Sequence, residues 1–183
     1  LQSESDILKA CLQNDRIAQR QLYNAYAGKM LVVCCRYASD KAEGEDILQE
    51  AFIKVFQNLK NFRGESTLGA WIKRIVVNSA LNHLRAGQHW QNQSDIEDQA
   101  NFISDEGLSL DGIHFQDLLN MIQKLPKGCQ TVFNLYAIEG YQHHEIAEML
   151  GISEGTSKSQ YSRAKQLLQA AVALDYYPRK KIS

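Results

Sequence analysis

The chain has 183 residues, 22% of them charged, and a formal net charge of −1. That length suits one large or two small domains, and no apolar run approaches the roughly 20 residues that span a bilayer. Two prolines, 11 glycines and few β-branched alternations argue against a sheet and for an all-α protein. No signal peptide is read, so a cytoplasmic protein without membrane insertion is expected. The first residue is Leu1 rather than Met, which predicts a trimmed or replaced N-terminus.

Charge is distributed unevenly. Residues 1–85 carry 12 Lys/Arg against 9 Asp/Glu, residues 86–120 none against 7, and residues 121–183 carry 8 against 5. Two mildly basic segments thus flank an acidic connector, and it is local charge that meets a polyanion. Cys11, Cys34, Cys35 and Cys129 show no CxxC spacing. Reduced, partly buried thiols are expected, with a redox sensor as the alternative. His143 and His144 are neighbours near a helix start and point in different directions, so no metal site is read there and no cofactor is expected.

From Ser3 to about Asp40 the pattern is helical, with one stripe at Ile7, Leu8, Cys11 and Leu12 and another at Leu22, Tyr23 and Tyr26. The run from Gly28 to Ala38 is apolar nearly all round and predicts a buried helix. Ser39 or Asp40 offers a cap for an amphipathic helix from about Lys41 to Leu59. Asp46, Gln49, Glu50 and Ile53 share one face of it, while Phe52, Val55, Phe56 and Leu59 point to the core. The FRGEST stretch at 62–67 reads as a loop, and Ser66 or Thr67 can cap a helix from about Leu68 to Arg85. Trp71, Ile72, Ile75, Val76 and Leu84 are apolar there, and Trp71 is read as core rather than as a stacking surface.

Residues 86 to about 111 have the glutamine, asparagine, serine and acidic content of a linker, with Trp90, Ile96, Phe102 and Ile103 suited to occasional docking. Helical patterning resumes from about Ile113 to Lys124, and Pro126 opens a further helix. The segment from Glu145 to Lys165 then reads as two helices around a tight turn. Ile146, Ala147 and Leu150 form an apolar stripe, Gly151 supplies a left-handed stop, Ile152 plugs the turn, and Ser153 caps the next helix. Ser157, Tyr161, Ala164 and Leu168 fall on the inward side of that second helix. Ser159, Ser162, Arg163 and Gln166 fall outward, with Lys158 and Lys165 on the flanks. Hydroxyl, amide and guanidinium groups suit base edges and lysines suit phosphates, so DNA, met through its major groove, is the expected partner. A PRKK tail at 178–181 is left open to phosphates.

Residues 45–85 (EDILQEAFIKVFQNLKNFRGESTLGAWIKRIVVNSALNHLR) and 125–168 (LPKGCQTVFNLYAIEGYQHHEIAEMLGISEGTSKSQYSRAKQLL), in that order, resemble a bacterial sigma factor of the small extracytoplasmic-function (ECF) type. The resemblance implies two helical domains, sigma region 2 over 1–86 and sigma region 4 over 113–183, joined by the acidic linker at 87–112. It implies core RNA polymerase and promoter DNA as partners and an anti-sigma protein as inhibitor, with no enzymatic activity. Asp46, Gln49, Glu50 and Ile53 would form the polymerase-clamp surface. Phe62, Ser66 and Asn78 would help capture the −10 element, with Arg63, Lys73, Arg74 and Arg85 on phosphates. Lys158, Ser159, Ser162 and Arg163 would read the −35 element.

Three departures from the family pattern qualify this transfer. Ser157 stands where valine is usual and is expected to weaken the packing under the recognition helix. Gly69 and Ala70 replace a bulkier pair before Trp71, and His143 and His144 stand where acidic residues are common. An autonomous helix-turn-helix repressor or activator is the rival reading, but it leaves residues 45–85 without a purpose. A helical adaptor with merely solvated basic faces is another. No phosphate-binding glycine loop or placed nucleophile–base pair speaks for an enzyme.

Overall fold

The computed structural model describes residues 3–86 and 114–176, all helix, turn and coil. The linker at 87–112, with Trp90, Ile96, Phe102 and Ile103, and the PRKK tail lie outside the described residues. The chain divides after Ala86 into two compact units. No described helix is long and apolar enough to cross a membrane.

The first unit holds α1 (Glu4–Leu12), α2 (Arg16–Cys35), α3 (Lys41–Asn58) and α4 (Leu68–Ala86). The two apolar stripes read before Asp40 belong to two helices, the second of which also takes in most of the 28–38 run. Asn14 turns into the left-handed region at φ 61°, and the Asp15 carboxylate then accepts the Ile17 N–H at 2.7 Å to start α2. Gly28 to Ala38 is also less enclosed than its composition predicts. Met30, Val33, Cys34 and Cys35 are buried against the other helices, but Gly28, Lys29 and Val32 face solvent. Asp40, which accepts the Glu43 N–H at 2.9 Å, caps α3. Ile47, Leu48, Ala51, Phe52, Val55 and Leu59 are buried from this side, with Phe56 half-buried. They meet Leu68, Ile72, Val76, Val77, Ala80, Leu81 and Leu84 of α4 and its neighbours in one apolar core.

The second unit holds α5 (Phe115–Gln123), α6 (Lys127–Phe133), α7 (His143–Leu150) and α8 (Glu154–Tyr176). Pro126 sits at the cap position just before α6, whose end widens into a π-helical turn over Asn134–Ile138. Met121, Ile122, Leu125, Cys129 and Phe133 pack against Ala164, Leu168 and Val172 of α8. All four thiols are buried. Burial pushes Cys34 up to about 12 and Cys129 up to about 11, which suppresses the thiolate that redox sensing requires.

Candidate polymerase and nucleic-acid interfaces

On α3, Asp46, Gln49, Glu50 and Ile53 are all exposed, as their spacing predicts. Phe52 of the same helix turns inward, where its ring meets Tyr23 edge-on at 4.7 Å. Ile53 is 57% exposed, an unusual setting for a branched aliphatic side chain in the middle of a well-packed helix. A hollow of about 250 Å³ lies between α2 and α3, lined by Tyr23, Ala27, Leu31, Leu48 and Gln49. The face therefore joins carboxylates, an amide and an apolar patch on one rigid surface.

The second group gathers around the loop before α4. Thr67, rather than Ser66, caps that helix, its hydroxyl accepting the Ala70 N–H at 3.3 Å. Gly64 takes φ 74°, which turns the loop back toward the helix. Trp71 is half-buried instead of joining the core. Its partner is Phe62, with ring centroids 5.4 Å apart, so the two aromatics form a partly exposed platform at the helix start. Sequence periodicity placed Trp71 on the apolar stripe but could not show that Phe62, across the loop, would meet it. Arg63 and Ser66 are exposed on the loop. Arg74, Asn78 and Asn82 succeed one another at four-residue steps along the exposed side of α4, and Arg85 donates to Asn82 Oδ1 at 3.2 Å. Lys73 is half-buried. The small residue at 69 also has a visible cause: a Cβ there would stand 3.1 Å from the Tyr26 ring. Tyr26 is held in that place by donating to Glu4 Oε2 at 2.7 Å.

The third group is the α7–α8 pair. Gly151 at φ 68° ends α7. Ser153 Oγ accepts the Thr156 N–H at 2.9 Å to start α8, and Ile152 is half-buried in the turn. Ser157, Ala164 and Leu168 are buried on the inward face, with Tyr161 partly so. Lys158 and Arg163 are exposed, while Ser159, Ser162 and Gln166 are half-exposed. Two of these groups are tethered locally. Lys158 Nζ pairs with Glu154 at 2.7 Å, and the Ser159 hydroxyl donates to the Thr156 carbonyl at 3.0 Å. Ser157 is buried, and its Oγ lies 2.9 Å from His143 Nδ1, a polar contact where the family's valine would make an apolar one. His143 is half-buried and His144 exposed, pointing apart. Burial, followed by the nearby Lys158 charge, lowers the His143 pKa below its ordinary value.

Both helical units match known families. Residues 22–90 match the family described as sigma-70 region 2, and residues 115–168 match sigma-70, region 4. The RNA polymerase sigma-H factor of Pseudomonas aeruginosa is 31% identical over 93% of this chain and 94% of its own length. The chain belongs to the sigma-70 family, as an ECF-type sigma factor. The ECF RNA polymerase sigma-E factor of Escherichia coli K12 is 30% identical, covering 87% of this chain and 89% of the relative. Among solved structures, the sigma factor RpoE of Bartonella quintana, in complex with the anti-sigma factor NepR, aligns with a TM-score of 0.51 at 24% identity. That alignment covers 85% of this chain and 97% of the other, and supports the all-α sigma fold. As an ECF sigma factor, the protein directs promoter recognition and transcription initiation by RNA polymerase.

Proposed function

We propose a division of that work among the three surfaces. Asp46, Gln49, Glu50 and Ile53 of α3 dock on core polymerase. Phe62, Trp71 and Asn78 capture a −10 base that leaves the duplex, while Arg63, Lys73, Arg74 and Arg85 hold the backbone. Lys158, Ser159, Ser162 and Arg163 of α8 read the −35 element. Residues 1–86 and 113–183 are the two working domains and 87–112 their acidic tether. Trp71 joins the pocket here because it is half-exposed beside Phe62.

The Phe62–Trp71 platform, with Arg74 one turn and Asn78 two turns farther along the same side of α4, carries this reading, since unpaired bases bind to aromatic faces, amides and cations. An anti-sigma protein would restrain the chain by covering these faces. The protein acts in the cytoplasm, where the polymerase is, and contributes binding and strand separation with no bond-making chemistry of its own. Run-off transcription with core polymerase, with and without the chain, tests the whole assignment. Transcription from a matched promoter is expected only with both present. Binding to promoter DNA without polymerase, with no gain in transcripts, would favour an autonomous regulator instead.

A further inference from the structure

Two residues that depart from the family pattern, His143 and Ser157, are 14 positions apart and meet at 2.9 Å. The contact is partly buried and flanked by two aromatic rings. Tyr136 stacks on the His143 ring with centroids 4.2 Å apart and planes 11° from parallel, and Tyr161 lies 5.9 Å from it. Tyr136 and Tyr161 in turn pack at 4.6 Å. Ser157 and Tyr161 are one turn apart on the inward face of α8, so His143 and Tyr136 grip successive turns of that helix. Ser157 has no exposed surface, and a hydroxyl in such a place is costly unless it is bonded.

A hydrogen bond is directional where an apolar contact is not. It therefore adds an angular constraint at the front of α8 to the hold that buried Ala164 and Leu168 give farther along. Lys158 and Ser159 follow Ser157 directly, and their aim depends on the rotation of α8 about its own axis. Turning a helix by about 10° carries a side-chain tip roughly 6 Å from the axis by about 1 Å. Hydrogen bonds to base edges do not survive such a shift.

We propose that His143 and Ser157 are a positioning pair that sets the angle at which α8 meets the upstream element, and thereby the specificity for that element. The proposal rests on the reading of α8 as the −35 reader. It is tested with the full chain bound to core polymerase, on a promoter and on the same promoter with its upstream element scrambled. The readout is the ratio of transcripts, at a temperature where circular dichroism shows each variant folded. His143→Ala and Ser157→Ala should each lower that ratio by about three- to tenfold. The double variant should lose no more than the worse single one, and His143→Asn, whose amide can stand in for Nδ1, should restore most of the loss. Thermal unfolding of the same proteins should show equally non-additive shifts.

Additive losses, unchanged ratios in both single variants, or an asparagine no better than alanine would overturn the pair. A wild type indifferent to the scrambled element would instead overturn the reading of α8 itself, and the pair's role with it.

Discussion

α4 and α8, the two helices proposed to meet DNA, both expose polar side chains, yet they are seated in opposite ways. α4 lies on an apolar bed: Leu68, Ile72, Val76, Val77, Ala80, Leu81 and Leu84 are all buried, and Arg74 and Asn78 project from the other side. The first half of α8 rests on polar and aromatic contacts from His143 and Tyr136, and its apolar burial begins only at Ala164. The outward groups differ as well, since Lys158 and Ser159 are already engaged within their own helix. Capturing a base that has left its stack requires a firm support and projecting groups. Reading the edges of an intact duplex requires an orientation set beforehand, and the polar seat supplies it.

The largest effect that would sharpen this contrast is on the support itself. Ile72→Ala should cost about 2–5 kcal/mol in urea unfolding. Asn78→Ala should stay within roughly 0.5 kcal/mol while sharply reducing open complexes on duplex promoter. Equal effects of the two on stability would break the division between bed and projecting face. Next is the α3 surface. Ile53→Asp removes an exposed apolar contact, so affinity for core polymerase should fall roughly tenfold or more in a fluorescence titration with unfolding unchanged.

On α8 the effects are smaller and of two kinds. Arg163→Ala should cost roughly 1–3 kcal/mol of discrimination between bases, read from binding to single-position operator variants. Wild-type preference in that variant would remove Arg163 from the reading set. Lys158→Ala should weaken binding to every sequence and flatten the salt dependence. The smallest effect is on pH. His143 in the folded chain has a pKa below that of the unfolded chain, so the unfolded state binds the proton first as pH falls through 6.5. The polar seat should accordingly lose stability between pH 7 and the folded pKa, then level off. Lys158 and Glu154 of α8 and Tyr136 of the π turn face the ring. Thermal unfolding of the second unit should show the decline, and His143→Gln should flatten it. An equal decline in both proteins would count against His143 as the source.

What was legible in the sequence was local. Gly151 and Ser153 mark the turn because a left-handed stop and a hydroxyl cap act within a few residues. The Asp46, Gln49, Glu50 and Ile53 face followed from helical spacing alone. What escaped depended on residues far apart in the chain. Trp71 left the core because Phe62 meets it across a loop. The partner of Ser157 is His143, which reaches it from another helix. Gly69 is small because Tyr26, tied to Glu4, occupies the adjoining space. The break between α1 and α2 rests on the backbone angle of Asn14, which the apolar stripes on either side do not report.

One rod serves two ends of the second unit. α8 runs unbroken for 23 residues, and about 22 Å of it separates Ser157 from Val172 at the usual rise per residue. Its far half is a wall of the core formed with Met121, Ile122 and Leu125. With α8 as the proposed −35 reader, a push on that wall would tilt its front end like a lever, so substitutions at Leu168 or Val172 should alter promoter choice without touching a single base.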